Sequence, residues 1–221
     1  MNAMRAIVAT LLSLAAASCA TVSSSPIASE ATPETYATSG STKGLVILAV
    51  NWSRHWNCGG YENAEIMSLG FDRLPIKNDT TEVPPEVFLD GPPRLTKKPG
   101  FEDYALLLEP GEYALTSFDV KAARSVRDVG HFVAKRAHLI ENGKPKAGSF
   151  QVKTGEMVYI GHFFLDCHEQ PMIWRYYAEG RDGFASHMAQ VKQKYPFIDP
   201  SKVTYRLFRT STMGRDYELP R

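Results

Sequence analysis

The residues of this chain best suited to chemistry are its three cysteines and six histidines. Two of the thiols lie beside imidazoles, in His55-x-x-Cys58 and in Cys167-His168. Three chemistries are open to them. Oxidised to each other, Cys58 and Cys167 would close a loop of roughly 100 residues and stabilise the fold by up to about 4.7 kcal/mol on the chain-entropy account. Kept reduced, His55, Cys58, Cys167 and His168 are ligands of the kind that hold Zn²⁺ tetrahedrally or Cu(I). Neighbours in a strand point to opposite faces, so Cys167 and His168 could share a metal only where a strand ends. The third possibility is a thiolate nucleophile with a histidine base.

The last of these has a sequence context. Asn57-Cys-Gly-Gly60, followed by Leu74-Pro75, Pro110-Gly-Glu112 and Gly130-His131, resembles the papain-like cell-wall peptidases in order and loose spacing. That resemblance implies Cys58 as nucleophile at a helix N-terminus, His131 as base and His138 as an orienting group. The family carries Asp-Cys-Ser-Gly where this chain carries Asn-Cys-Gly-Gly, and the segment after Cys58 reads as strand as well as helix. Gly-x-Ser-x-Gly, Walker, dinucleotide and His-Glu-x-x-His motifs do not occur, and no cofactor is implied. His162 and His187 read as surface or core residues. Trp52, Trp56 and Tyr61, with Trp174, Tyr176 and Tyr177, could line a sugar or peptide groove or simply pack.

The third cysteine belongs to an address. Arg5 precedes an uncharged apolar run over residues 6–17, and small residues lead into Cys19, as in a secretory signal peptide too short to span a bilayer. Leu14-Ala-Ala-Ala-Ser-Cys19 resembles the lipobox of bacterial lipoproteins. The resemblance implies cleavage after residue 18 and a diacylglyceryl and acyl (palmitate-type) anchor on Cys19; Ala20, rather than Asp, points to the outer membrane, facing the periplasm. An anchored Cys19 leaves an even pair of cysteines in an oxidising compartment, which favours the disulfide. Residues 19–43, rich in Ser, Thr, Pro and Gly, read as a flexible tether, and residues 44–221 as the folded domain.

The formal charge is +1 and falls to zero without Arg5, with no basic face, so nucleic acid is excluded as a partner. The expected contacts are membrane lipid through Cys19 and an envelope protein or peptidoglycan.

Positioning these residues falls to a series of short strands. Residues 44–52 form a continuous apolar run suited to a central strand covered on both faces. Residues 65–74 alternate as a half-buried strand, with a helix over 61–69 as the alternative. Pro-rich residues 77–100 hold at most a short strand at 86–89. Residues 101–108 and 112–120 flank Glu109-Pro-Gly111 and read as a hairpin. Asn142-Gly143 signals another, with residues 149–153 as the second strand. Period two puts Met157, Tyr159, Phe163, Leu165 and Cys167 on one face. Residues 171–178 and 203–210 are further strands. Between them Asp182 caps a helix whose stripe is Phe184, Met188, Val191 and Tyr195, ended by Pro196.

The pattern predicts a mostly β chain, an antiparallel β-sandwich with one C-terminal amphipathic helix. Leu108-Glu-Pro-Gly-Glu-Tyr113 and Phe150-Gln-Val-Lys-Thr-Gly-Glu-Met-Val-Tyr-Ile-Gly161, with the Lys194-Tyr-Pro196 helix end, resemble uncharacterised bacterial lipoproteins with a sandwich domain. The first motif also resembles PEGA-type and transthyretin-like modules. These resemblances imply a fold and, beyond membrane anchorage, a non-catalytic interaction role.

Overall fold

The computed structural model describes residues 30–76, 83–93 and 95–220. The signal segment, Cys19 and the first part of the expected tether lie outside them. Thirteen strands occur among the described residues: β1 (Gly44–Val50), β2 (His55–Cys58), β3 (Tyr61–Arg73), β4 (Val87–Asp90), β5 (Glu102–Leu108), β6 (Gly111–Ser125), β7 (Asp128–Ala134), β8 (Ile140–Glu141), β9 (Lys144–Pro145), β10 (Ser149–Val152), β11 (Met157–Asp166), β12 (Met172–Tyr176) and β13 (Val203–Tyr205). Helices α1 (Pro33–Ser39), α2 (Arg136–Leu139) and α3 (Gly180–Lys194) complete them, with a single 3₁₀ turn at Pro200–Lys202.

Two sheets face each other. The first runs β12-β11-β1-β5, with β13 beside β11; the second runs β10-β6-β3-β2, with β4 on β3 and β7 on β6. Most pairings are antiparallel, but β1 and β13 both lie parallel to β11. Parallel strands belong where both faces are covered, and β1 is buried at every residue. Val46, Leu48 and Val50 face the second sheet, while Leu45 and Ile47 face α3. The molecule is thus a β-sandwich with a helix laid on the outer face of the first sheet.

The sequence expectations hold for β1, for the short β4 and for the helix stripe: Phe184, Met188, Val191 and Tyr195 all pack on the first sheet. Glu179 rather than Asp182 is the N-cap of α3. Residues 61–73 are strand, not helix. Other expectations need correction. The strands around Glu109-Pro-Gly111 do not pair: β5 joins β1 in one sheet, and β6 joins β3, β7 and β10 in the other. A tight turn can serve as an inter-sheet corner as readily as a hairpin, and here β5 pairs along its whole length with β1 in one layer while β6 pairs with β3 in the other. Asn142 and Gly143, both at positive φ, do make a two-residue turn. It joins β8 to β9, and residues 149–152 pair with β6 instead.

Residues 30–43 are not free tether. Glu30 bridges to Leu106, and Ala31, 6% exposed, donates its N–H to the Ala105 carbonyl at 2.7 Å. Thr32 and Thr35 cap α1 reciprocally, and Tyr36 stacks on Phe197 at 5.2 Å. The capping Thr residues hold α1, while the Lys194–Glu30 pair at 2.8 Å, the Tyr36 stack and the Gly155 N–H bond to the Lys43 carbonyl at 2.9 Å dock a segment whose composition reads as linker.

The face assignment in β11 also changes. Ile47 pairs with Tyr159 but Ala49 pairs with His162, so β11 carries a bulge at residues 160–161. Gly161 has φ +110°, and a Cβ there would lie 2.8 Å from the Tyr176 carbonyl oxygen. The extra residue inverts the alternation. Met157 and Tyr159 face α3, whereas Phe163 and Leu165, with Cys167 beside them, face the sandwich core. His162 is turned toward α3. A Gly161→Ala variant is expected to lose about 1–3 kcal/mol of stability, the scale of a strained backbone position, measurable by urea unfolding.

Candidate functional site

Cys58 ends β2 in the second sheet and Cys167 follows β11 in the first. They form a disulfide, with Cα atoms 4.5 Å apart across a sequence separation of 109. Cys58 is fully buried, and Gly59 N–H donates to the Cys167 carbonyl at 3.0 Å. Gly59 has φ +54°, and a Cβ on it would meet Gln170 Cα at 2.4 Å, so only glycine lets the two loops approach this closely. The bridge pins one corner of the sandwich.

Bonded to each other, the two sulfurs offer no thiolate. Cys58 sits in a strand hairpin rather than at a helix N-terminus. His131 lies on β7, on the opposite margin of the second sheet, with β3 and β6 between. Three strand spacings amount to about 14 Å. Its Nδ1 is 2.8 Å from Asp119 Oδ1, while His138 accepts the Lys135 N–H at its own helix start. The peptidase arrangement of Cys58, His131 and His138 is not assembled. Nor is the metal arrangement: His55 packs edge-on against Phe164 at 5.3 Å, and His168 follows the bridge in an exposed turn. Among the described residues no group of three or more His, Cys, Asp or Glu is placed to hold a metal ion.

What the structure does bring together are His162 and His187. Their Nε2 atoms are 3.2 Å apart, and His187 Nε2 is 3.7 Å from Asp103 Oδ1. Asp103 comes from β5 and His187 from α3, so three elements converge on one buried spot. Burial, aided by His187, pushes His162 down to about 3. Burial alone brings His187 down to about 4. For Asp103 burial raises the carboxyl to about 6 against the opposing pull of Lys194. Tyr159, whose hydroxyl accepts the Ala178 N–H at 2.9 Å, closes the pocket from below. Neutral imidazoles that share one proton hold α3 on the sheet. The cluster lies where α3, β5 and β11 meet and reads as a docking joint. No sequence signal could have found it, because the bulge that turns His162 over is invisible to period-two reasoning.

The joint makes a pH prediction. Both histidines have folded-state values below the ordinary 6.5, so the unfolded chain takes up their protons first and stability falls as pH drops below 6.5. Asp103 works the other way: raised from 3.8 to about 6, it adds stability as pH falls through that window. Two protons against one leave a net loss of about 1.4 kcal/mol per pH unit between roughly pH 6 and 4. Against a His162→Phe/His187→Phe variant, the wild type should lose stability more steeply over this window in pH-dependent urea titrations; parallel curves would contradict the assignment.

The outward face of the second sheet carries the features suited to a ligand. A cleft of about 530 Å³ is lined by Pro84, Phe88, Phe118 and Val133. At its base Arg136 Nε and Nη2 donate to Asp72 Oδ2 and Oδ1 at 2.7 and 2.9 Å, both side chains 5% exposed. Further along the same sheet Glu65 is enclosed by Lys97 at 3.0 Å, Lys121 at 3.4 Å and Arg54 at 3.8 Å. Burial pushes the Glu65 carboxyl up, but the three cations outweigh it and hold it below the usual carboxylate range.

Fold and site together define a disulfide-bridged β-sandwich with a helix on one face and a ligand-sized cleft on the other. Compared with protein-family models, curated proteins and solved structures, the chain finds no match.

Proposed function

We propose that this is a lipoprotein of the bacterial envelope, anchored through a diacylated Cys19 to the periplasmic leaflet of the outer membrane. Its domain acts by non-catalytic contact with another envelope component, a protein or peptidoglycan. The observation that carries the reading is the Cys58–Cys167 disulfide. Such bridges persist in oxidising compartments and are rare where glutathione keeps thiols reduced, which agrees with the export signal read from residues 1–18. Pairing also leaves Cys19 as the odd cysteine, the one the lipobox resemblance acylates. No helix among the described residues is long and apolar enough to cross a membrane. Two or three acyl chains would hold the protein without one, since each buried CH₂ adds about 0.8 kcal/mol.

Metabolic labelling with a palmitate analogue tests the anchor. Wild-type protein should carry the label and sediment with outer membranes, and Cys19→Ser should carry none. Labelling unchanged in Cys19→Ser would overturn the proposal.

A further inference from the structure

We infer that the outward face of the second sheet around Trp56 binds an acidic saccharide, a polymer bearing carboxylates on its sugar rings. This goes beyond the protein or peptidoglycan contact proposed above and gives this face a ligand of its own. It rests on that reading only for where such a polymer is met.

Three observations converge. Trp56 is 56% exposed, although it is the largest kind of side chain and sits in a rigid strand. It pairs with Asn63 on β3, and its hairpin is tied down two residues later by Cys58. A large amphipathic ring held open on a fixed scaffold is a stacking platform, and pre-organisation lowers the entropy lost on binding. Secondly, the Arg54 guanidinium carbon lies over the Trp56 ring, 5.5 Å from its centre, a cation–π contact that fixes the ring and sets a cation on one of its two faces.

The third observation is charge. Arg54, Lys97 and Lys121 surround the single carboxylate of Glu65, three positive charges against one, which leaves an excess of two. Lys97 and Glu65 are almost covered, but Arg54 and Lys121 keep 23% and 31% of their side chains exposed. Asp119, the next outward residue on β6 and hydrogen-bonded to His131, adds one further carboxylate, so one cation remains in excess when it is counted. Cations in excess beside a half-exposed indole complement a ring with a carboxylate: the apolar face of the sugar stacks on the Trp56 face that Arg54 leaves free, while its carboxylate meets Arg54 and Lys121. A neutral sugar would leave the cations unused, and an acidic peptide would leave the indole unused.

The test uses the purified full-length protein in detergent, with polygalacturonate as the probe and dextran and poly-glutamate as controls, read by calorimetry and tryptophan fluorescence. Polygalacturonate should bind, quench fluorescence and weaken as salt is added, while dextran and poly-glutamate should bind at least tenfold more weakly, roughly the contribution of one recognition element. Trp56→Ala should lose roughly tenfold in affinity with an unchanged melting temperature, as for loss of one stacked ring. Trp56→Phe should retain part of the binding, and Lys121→Gln should weaken it and flatten its salt dependence. Absent polygalacturonate binding by folded protein, equal binding of either control, or full affinity in Trp56→Ala would each overturn the inference. An error in the lipid anchor would show in the labelling experiment and leave these affinities untouched.

Discussion

Replacing Arg136 by Met is expected to destabilise the protein by about 3–5 kcal/mol, because it strands the Asp72 carboxylate in the interior without its counter-charge. The pair is bidentate, and both partners are almost fully buried. Thr116 adds a hydrogen bond to Asp72 Oδ2, and Arg136 Nη2 also donates to the Pro84 carbonyl at 3.1 Å. The arginine therefore joins β3, β6, α2 and the loop before β4. An Asp72→Leu/Arg136→Met double variant removes both charges at once and should recover much of the loss, since apolar replacements of buried pairs are often neutral. Urea unfolding of the single and double variants checks both statements. If the two variants were equally destabilised, the cost would lie in packing rather than in an unpaired charge.

The second large effect is the loss of the disulfide. A Cys58→Ser/Cys167→Ser variant is expected to lose about 2–5 kcal/mol, with most of the effect in the unfolded chain, where the bridge closes a long loop. Cys58 is fully buried, so paired Ala substitutions, which leave no unpartnered hydroxyl, should cost less than Ser. Circular dichroism should report a folded sandwich with a lowered melting temperature. Wild type treated with reductant should move toward the same midpoint. A midpoint that did not respond to reductant would mean that the thiols are free in the folded protein.

Much of this architecture was legible locally. The continuous run of residues 44–50 announced a doubly covered strand, and the stripe of Phe184, Met188, Val191 and Tyr195 announced a helix with one buried side. The disulfide was legible from the export signal read in residues 1–18 together with the count of three cysteines. What stayed hidden was set by tertiary context. Glu109-Pro-Gly111 specifies a tight turn but not whether its flanking strands share a sheet, and here they do not. Gly161 looks like any strand glycine until a partner strand reveals the bulge, and with it the reversal that puts His162 against His187. Residues 30–43 have a linker's composition, yet backbone hydrogen bonds, ion pairs at Glu30 and Lys43 and one ring stack dock them. The charged sites were hidden for a similar reason. Glu65, Lys97 and Lys121 are spread over 57 positions of the chain; strand register sets Lys121 opposite Glu65, and the loop between β4 and β5 brings Lys97 to them.

The central claim is an exported, lipid-anchored domain closed by one disulfide. Its most direct test is the intact mass of protein purified from membranes, taken after thiol alkylation with and without prior reduction. The account predicts a chain beginning at an acylated Cys19, no alkylation before reduction and two alkylated thiols after it. A chain that retains residues 1–18, or a Cys58 that alkylates without reductant, would contradict it.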